Sequence, residues 1–366
     1  MADSITSLAA AADTDADFER LGLTRGHIQV WEDGARTDGR GGTYEWWYFD
    51  GHLDDGATLV VVFLTKRDLN TPGGPLEPTI MLDLDLPDGT SRQLRQTFDM
   101  TTWSAATDRA DVRIGPHRFS GDLHTYRITA ALEDVTVDVT LTGQVPPWRP
   151  GTGVTRVGSG RNLEFCWLPA VPQGHVAIAY TVGGTSHTTT GTGYHDHNWG
   201  NVAMMKIFHD WYWARGKAGP YSVITSFITA HAKYNYTPLP VFMVAKDGQI
   251  IADDPQKVTF STENVHTDRV TGKPVADIIR YTYRDGLERY VVTFTRAEYL
   301  VREKMIDQVH GLKRLGARIV RFDGAYLRFA GDVHVEHVRA GELVDEAHDR
   351  GIWELMYFGH ARPPAF

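Results

Sequence analysis

The sequence predicts an almost all-β protein: two β barrels or sandwiches packed side by side, with one or two short helices. Short runs of β-branched and aromatic residues recur along the chain, and 36 glycines and 17 prolines supply turns between them. The 366 residues are about twice what one eight-stranded barrel needs. No fixed-period repeat is visible, which disfavours a propeller or solenoid. We therefore predict an N-terminal extension of residues 1–40, followed by domains at 41–205 and 206–366.

The elements are predicted in chain order from periodicity and turn signals. The extension is polar and admits a short helix between Ser7 and Leu21. The predicted strands are residues 44–50, 57–64, 79–86, 93–98, 112–114, 125–132, 135–141, 162–168, 175–182, 191–200, 207–215, 221–230, 241–245, 249–252, 278–284, 287–295, 325–329, 333–338 and 351–358. Residues 169–174 predict a turn, and the 3.6-residue spacing of apolar side chains predicts a helix over 297–315.

The composition excludes several classes of protein. A formal net charge of −9 without a basic run argues against a nucleic-acid partner. The one cysteine, Cys166, excludes an intramolecular disulfide framework and a cysteine-rich zinc site. The N-terminus lacks the basic segment of a signal peptide, and no apolar run approaches the ~20 residues of a membrane-spanning helix. These features predict a cytoplasmic protein without stable membrane insertion, and they leave its oligomeric state open.

The most unusual stretch of the chain is Gly191-Thr-Gly-Tyr-His-Asp-His-Asn-Trp-Gly200. If this run is extended, successive side chains point to opposite faces. One face then carries a phenol, a carboxyl and an amide, and the other carries two imidazoles and an indole: Tyr194, Asp196 and Asn198 against His195, His197 and Trp199. Neither set is that of an ordinary core or an ordinary solvent face.

Asp196 is the strongest candidate for a catalytic residue. Burial raises the pKa of a carboxyl, so a buried Asp196 would keep its proton near neutral pH and act as a general acid. Tyr194 and Asn198 are further catalytic candidates, because each can orient that carboxyl or donate a hydrogen bond to a carbonyl. The structural alternatives are a turn or arginine partner for Asp196, a core position for Tyr194 and a backbone-bonding role for Asn198.

A second constellation lies in Tyr44-Glu-Trp-Trp-Tyr-Phe-Asp50. Glu45 is flanked by indoles and is a candidate acid/base group or stabiliser of a cation. The alternative is a buried salt bridge from Glu45 to Arg161 or Arg215, with the tryptophans as core.

His195 and His197 have the spacing of a metal-binding pair on a strand. A zinc or iron site needs further ligands, and the sequence has neither an HExxH motif nor a cysteine-bearing partner. It also lacks a nucleophile elbow, a P-loop and a dinucleotide fingerprint. We therefore predict a site that uses no metal and no other cofactor.

A third aromatic cluster, Asp210-Trp-Tyr-Trp213, is either core filling or the wall of an apolar pocket. We expect the three aromatic stretches to form one aromatic-walled site around an acid. The residues expected to bind substrate are Trp47, Tyr48, His195, Trp199, Trp211, Trp213 and Tyr221.

Five ordered runs resemble a known family. They are Tyr-Glu-Trp-Trp-Tyr-Phe-Asp50, Ile-Gly-Pro-His-Arg-Phe-Ser-Gly-Asp122, Gly-Tyr-His-Asp-His-Asn-Trp-Gly200, Trp-Tyr-Trp213 with Gly-Pro-Tyr221, and Trp-Glu-Leu-Met-Tyr-Phe-Gly359. Together, over roughly residues 40–360, they resemble the lipocalin-like superfamily of carotenoid 1,2-hydratase (hydroxyneurosporene synthase), kievitone hydratase and the decalin-forming Diels–Alderases. The resemblance implies two lipocalin-like β domains with the ligand pocket between or inside them. It also implies proton transfer by Tyr194 and Asp196, with Glu45 and Trp47 near the pocket.

The function predicted from these observations is a cofactor-free cyclase, in particular a pericyclase, of an apolar polyene of polyketide or terpenoid origin. One alternative is a hydratase in which Asp196 protonates an isoprenoid alkene. Others are a non-catalytic carrier of a lipophilic ligand and a metal enzyme using His195 and His197. Family membership alone does not choose among them, because one fold serves several reactions.

Overall fold

The computed structural model describes residues 9–69, 72–160, 162–305 and 323–362. The chain divides into two compact units. The N-terminal unit is Ala11–Ala203, and the C-terminal unit is Met204–Phe366 together with Met1–Ala10. Most described residues lie in β-strands, so the predicted almost all-β class is confirmed.

The strands are numbered in chain order. Those up to residue 203 are β1 (Ala9–Ala11), β2 (Tyr44–Leu53), β3 (Thr58–Leu64), β4 (Thr79–Asp85), β5 (Ser91–Thr97), β6 (Trp103–Ala105), β7 (Ala110–Ile114), β8 (His117–Gly121), β9 (Thr125–Leu132), β10 (Val135–Gly143), β11 (Val154–Val157), β12 (Leu163–Val182) and β13 (Thr185–Gly200). Those after it are β14 (Phe208–Ala218), β15 (Tyr221–Ala230), β16 (Pro238–Lys246), β17 (Gln249–Ala252), β18 (Val258–Glu263), β19 (His266–Thr267), β20 (Pro274–Val275), β21 (Ile278–Asp285), β22 (Glu288–Lys304), β23 (Ala325–Arg339) and β24 (Glu342–Tyr357).

Helices are short throughout the described ranges. The α-helix α1 spans Asp15–Leu21, inside the region where the sequence admits one, and Thr14 and Asp17 close a capping box at its start. Single 3₁₀ turns are Val30–Asp33, Met100–Thr102, Met204–Lys206, Ala232–Tyr234 and Pro255–Lys257. Within these ranges no helix has the length and hydropathy needed to span a bilayer.

The sheet of the N-terminal unit runs in the order β5-β4-β3-β2-β13-β12-β10-β9-β8-β7-β6, and β11 pairs with β12 beside this path. Side chains along its strands alternate between buried and exposed, because one face of the sheet packs on the core. In β9, for example, Tyr126, Ile128 and Ala130 are buried and their neighbours point outward. β2 and β13 are neighbours in the middle of the order, so the sheet places two of the three aromatic stretches side by side.

The turn predicted at residues 169–174 is wrong, because β12 continues through it as one strand. The register of β12 against β13 shifts between Leu168 and Val171 and again between Val171 and Gly174. Each shift sets two residues of β12 against one of β13, which is a β-bulge. Proline has no N–H to give to a strand ladder and is tolerated at a bulge, so Pro169 and Pro172 kink the strand without ending it.

The sheet of the C-terminal unit runs in the order β17-β16-β15-β14-β24-β23-β22-β21-β18. Its core holds large aromatic side chains, including Tyr281, Phe294, Phe329 and Trp353. Their burial explains the aromatic content of this half of the chain.

The helix predicted over residues 297–315 is wrong where it can be compared, because β22 continues to Lys304 and pairs with β23. The register of this pair shifts between Arg296 and Glu298 and between Tyr299 and Val301. Each extra residue breaks the two-residue alternation, so the spacing of apolar side chains imitates a helix. Residues 306–315 of the predicted helix lie outside the described residues.

Candidate active site

Two sequence motifs meet in the antiparallel pair of β2 and β13. In this register Asp196 lies opposite Tyr48, and His197 lies opposite Trp47. Residues directly opposite each other point to the same face of a sheet. The pair therefore has an Asp196 face, which carries Tyr194, Asp196, Asn198, Trp46 and Tyr48, and a reverse face, which carries His195, His197, Trp199, Glu45 and Trp47.

On the Asp196 face three donors hold the Asp196 carboxyl. The Tyr194 hydroxyl donates to Oδ2 at 2.7 Å, and the Trp167 indole Nε1 donates to the same oxygen at 2.8 Å. Asn198 Nδ2 donates to Oδ1 at 2.7 Å. Asp196 is only 7% exposed, and Tyr194 is fully buried. The carboxyl is therefore fixed in position by groups on two strands.

This environment changes the acidity of Asp196. Burial raises the pKa of its carboxyl above the ordinary value, and the hydrogen bonds from Tyr194, Trp167 and Asn198 offset only part of that rise. A carboxyl with a raised pKa keeps its proton to higher pH. The direction of this pKa shift is the one that a general acid needs, and the catalytic role of Asp196 stays a prediction.

The bulges of β12 lie opposite the two central residues of this site. Pro169 and Ala170 together face Asp196, and Pro172 and Gln173 together face Tyr194. A bulge bends its strand and redirects neighbouring side chains. Trp167 precedes the first bulge, and its indole reaches across to Asp196.

The glycines that bracket the motif allow β13 to approach its neighbours closely. A Cβ atom added at Gly191 would lie 2.2 Å from the carbonyl oxygen of His52, and one at Gly200 would lie 2.5 Å from the Tyr44 hydroxyl oxygen. Both distances are far below van der Waals contact. The glycines are thus required by packing of the strand that carries Asp196.

Aromatic rings complete the Asp196 face. The Tyr48 and Tyr194 rings meet edge to face with centroids 6.3 Å apart, and Trp46 packs on Phe165 at 6.2 Å. Trp46 and Tyr48 are half-buried, so this face presents aromatic surface beside the acid.

The reverse face holds a buried polar network around Asp33, from the 3₁₀ turn before β2. Asp33 Oδ2 accepts from the Tyr126 hydroxyl at 2.5 Å and lies 3.1 Å from His195 Nε2. Its Oδ1 lies 3.3 Å from His197 Nδ1. The other nitrogen of His195, Nδ1, donates to the backbone carbonyl of Tyr48 at 2.8 Å. Both imidazoles predicted as a possible metal pair are engaged with protein oxygens.

Glu45 belongs to the same network. Its carboxylate lies 2.7 Å from His197 Nε2 and accepts from the backbone N–H groups of Arg36 at 2.6 Å and Thr37 at 2.9 Å. The Trp47 ring stacks on His197 with centroids 4.4 Å apart. Glu45 therefore has the partners of a buried ion pair, with His197 in place of the arginines considered from the sequence. Its catalytic role stays a prediction.

The network shifts two pKa values in opposite directions. Burial alone would lower the pKa of His197, but its polar contacts with Asp33 and Glu45 outweigh burial and raise it. Burial alone would raise the pKa of Asp33, but the charge and polar contacts of His195 and His197 hold it well below the ordinary value. The folded state thus favours an ionised Asp33 next to a protonated His197.

We expect the stability of the N-terminal unit to depend on pH on both sides of neutrality. A pKa raised on folding contributes stability that is complete below the unfolded value, about 6.5 for histidine, and is lost as pH rises through the folded value of His197. A lowered pKa contributes stability that is present above the unfolded value, about 3.9 for aspartate, and is lost as pH falls through the folded value of Asp33. Urea midpoints measured against pH by tryptophan fluorescence check this.

A His197→Gln variant separates this contribution from the rest of the chain. It should lose the part of the alkaline decline of the urea midpoint that His197 contributes, whereas His175→Ala, at an exposed position of β12, should retain the full decline. An unchanged alkaline decline in His197→Gln would contradict the assignment.

A cavity of about 220 Å³ adjoins the site within the N-terminal unit. Its walls include Trp31, Trp167 and Trp199, together with the ion pair of Arg149 Nε and Glu32 Oε2 at 3.3 Å. This volume is below the roughly 300–1,000 Å³ of pockets for drug-sized ligands, so the cavity accommodates a small group only. Trp167 lines the cavity and also donates a hydrogen bond to Asp196, so this side chain connects the cavity to the acid.

Three residues predicted to bind substrate, Trp211, Trp213 and Tyr221, belong to the C-terminal unit. Trp211 Nε1 donates to Glu354 Oε1 at 3.2 Å, and Trp213 lies opposite Glu354 in the ladder of β14 and β24. Tyr221 is fully buried, and its hydroxyl donates to Asp345 Oδ2 at 2.8 Å. Their contact with a substrate stays a prediction.

Sequence reasoning missed Trp167, Asp33 and Tyr126. Two prolines three residues apart, Pro169 and Pro172, follow Trp167 closely in a β-rich run. They are a signal for bulges that could have drawn attention to Trp167. Asp33 lies in a stretch of sequence without periodicity, and Tyr126 has the pattern of an ordinary core residue. Neither carries a local signal for its place in the network.

Comparison with known proteins relates this arrangement to a family. The sequence profile of the Diels-Alderase-like family matches residues 41–302. The quinolone epoxide rearrangement protein asqO of Emericella nidulans is 27% identical over 195 residues, which cover 50% of this chain and 53% of asqO. The chain thus aligns with about half the length of this relative.

Solved structures share the fold. The crystal structure of CghA superposes with a TM-score of 0.59 at 15% identity, covering 88% of this chain and 90% of CghA. Kievitone hydratase from Nectria haematococca gives 0.53 at 13% identity, covering 90% and 93%. CghA has also been crystallised with the small molecule Sch210972. At such identities the likeness establishes the fold, and it confirms the predicted lipocalin-like class.

Proposed function

The chain belongs to the Diels-Alderase-like family, and we propose that it is a cofactor-independent cyclase of an apolar, unsaturated small molecule. The proposed substrate is a polyene of polyketide or terpenoid origin, and the proposed reaction is a pericyclic [4+2] ring closure. The relative asqO, named for a rearrangement, supports this class. Like a cyclisation, a rearrangement keeps every atom of its substrate.

The proposal rests on the buried carboxyl of Asp196 and its three donors. Oδ2 already accepts two hydrogen bonds, from Tyr194 and Trp167, whereas Oδ1 accepts one, from Asn198. A carboxyl oxygen offers two lone pairs, so the proton of the neutral acid is best accommodated on Oδ1. Oδ1–H is therefore the group that we assign to the substrate.

In this proposal Asp196 donates a hydrogen bond to a carbonyl or epoxide oxygen and stabilises the charge that develops there. Tyr194 and Asn198 act through Asp196 by holding its carboxyl in place. The half-buried rings of Trp46 and Tyr48 shape the aromatic surface on which an apolar chain would fold. Orientation of two reacting ends can by itself remove up to about 7–11 kcal/mol of a barrier.

A hydratase is the second candidate, and the raised pKa of Asp196 is the observation that favours it. Protonation of an alkene requires a proton that remains on the acid at working pH, whereas a neutral pericyclic reaction depends first on shape. Nearby aromatic faces would then stabilise the carbocation until water captures it.

Product mass distinguishes these reactions. The purified chain is incubated with linear polyenes and with quinolone epoxides. The products are separated by chromatography, and their masses are measured by mass spectrometry. A new retention time at unchanged mass supports a cyclase or rearrangement enzyme, and a product heavier by one water identifies a hydratase. Unchanged substrate that co-purifies with the protein would favour a carrier and contradict the proposal.

A Trp167→Phe variant tests the donor at Asp196 Oδ2. The indole hydrogen bond lowers the pKa of Asp196, so its removal should raise that pKa further. The active, protonated form then persists to higher pH, and the alkaline limb of kcat/KM should move upward. The measurement is the pH profile of turnover of the substrate found in the mass screen.

Trp103→Phe serves as the matched control, because Trp103 packs on Trp47 of the reverse face. Its pH profile should stay in place. A downward or absent shift in Trp167→Phe would show that the indole does not tune the reacting acid.

A further inference from the structure

The C-terminal unit carries a cluster of histidines and carboxylates on the outer face of β23 and β24. His334 lies directly opposite His348 in this pair, and Glu346 precedes His348 by two residues and shares its face. The two imidazole rings stack with centroids 3.8 Å apart and planes 9° apart. We propose that His334, Glu346 and His348 bind one divalent transition-metal ion, with Zn²⁺ as the best fit.

The ligand atoms lie close enough for a metal once the stacked rings turn, because an imidazole nitrogen binds an ion in the plane of its own ring. One ligand atom from each of the three residues lies within 4.8 Å of the other two. Tetrahedral zinc with bonds of about 2.0–2.1 Å sets its ligand atoms roughly 3.3 Å apart, so side-chain rotation alone can close the site. The side chains of His348 and Glu346 are 54% and 51% exposed, so both can rotate and an ion can reach them.

The donor set selects the ion. Two imidazole nitrogens and one carboxylate oxygen form a set that Zn²⁺ takes with a fourth position left open. Mg²⁺ and Ca²⁺ prefer oxygen ligands only and are disfavoured by two imidazoles. We therefore expect zinc, nickel or copper to bind and magnesium not to bind.

Asp332 provides a partner that fixes one ligand. Both of its carboxylate oxygens lie 3.2 Å from His348 Nδ1. A hydrogen bond at Nδ1 places the proton there and leaves the Nε2 lone pair for the metal, as outer carboxylates do at many zinc sites. Without an ion this pairing also orients the ring.

A metal would replace a hydrogen bond that already exists. His334 Nε2 lies 3.0 Å from Glu346 Oε2. These two ligand atoms are therefore already close to the roughly 3.3 Å separation of ligands on tetrahedral zinc. Glu336, opposite Glu346 in the ladder, adds negative charge to the same face, while Arg350 is engaged by Glu298.

This site is independent of the proposed reaction, because it lies in the C-terminal unit and involves none of the residues around Asp196. An ion held by one ligand on β23 and two on β24 fastens these strands together. Because it binds only the folded unit, the free energy of unfolding should rise with the logarithm of the zinc concentration above the dissociation constant.

Isothermal titration of Zn²⁺ into the chelator-treated full-length chain tests the proposal. We expect one zinc ion per chain and an upward shift of the melting temperature that Mg²⁺ does not reproduce. Loss of an outer partner alone weakens metal binding ~10–100-fold. His334→Ala and His348→Ala each remove a ligand, so each should weaken zinc binding at least as much. Asp332→Asn, which keeps all three ligands, should weaken it within that ~10–100-fold range.

His175→Ala removes an exposed histidine of the N-terminal unit and should bind zinc like the parent chain. Zinc binding of equal strength in the His334→Ala, His348→Ala double variant would place the ion elsewhere and overturn the proposal. The absence of zinc binding by the parent chain would overturn it as well.

Discussion

An Asp196→Asn variant is expected to lose about 10²–10³-fold in kcat/KM, the usual cost of removing one donor that stabilises developing charge. Asparagine keeps the size of the side chain but has no carboxyl proton to give. It also sets an amide NH₂ in place of one of the two oxygens that now accept from Tyr194, Trp167 and Asn198. The alkaline limb that reports the raised pKa of Asp196 should vanish from the residual activity.

Asp138→Asn is the matched control, because it removes a carboxyl from the same sheet at an exposed ion pair with Arg127. Its kcat/KM should remain within about twofold, since exposed pairs contribute ~0–1 kcal/mol to stability and this one lies outside the site. A parent-like rate in Asp196→Asn, with product of unchanged mass, would mean that shape alone drives the reaction. That result would remove the acid role from Asp196 and exclude the hydratase.

An Asp33→Asn variant is expected to destabilise the N-terminal unit by about 3–5 kcal/mol, the usual cost of breaking a buried ion pair from one side. Asp33 is 1% exposed and is the one carboxylate, among the described residues, that approaches both His195 and His197. Its neutral replacement leaves the protonated His197 with Glu45 as its remaining anionic partner. For a unit of this size the melting temperature should fall by roughly 10 °C.

The stability change is read from urea unfolding near pH 7 and from calorimetry. Asp138→Asn should change the free energy of unfolding by less than about 1 kcal/mol. If Asp33→Asn unfolds like the parent chain, the network does not hold an ionised Asp33. The pH dependence of stability that we assign to Asp33 and His197 would then be contradicted as well.

The sequence by itself determined the strand class and the faces of the central motif. Side chains in a strand alternate with period two, so the run from Tyr194 to Asn198 could be divided into two faces without knowing its neighbours. The motif also identified Asp196 as the candidate acid, but its burial was a condition of that prediction and became known only from the structure. The predicted bounds Thr125–Leu132 agree with β9 because its alternation of buried and exposed side chains is unbroken. The predicted bounds Tyr221–Ala230 also agree with β15.

Only the tertiary structure decided how the acid and the histidines are held. Trp167 reaches Asp196 because two bulges bend β12, and a bulge depends on the register of a partner strand. Likewise, β22 is a strand through Lys304 because β23 pairs with it, which overrides the helix-like spacing of its apolar residues. Asp33 contacts His195, which lies 162 positions away in the sequence. It also contacts His197, which lies on the same strand as His195. Contacts of this kind have no local signal, because they depend on which strands become neighbours in the folded sheet.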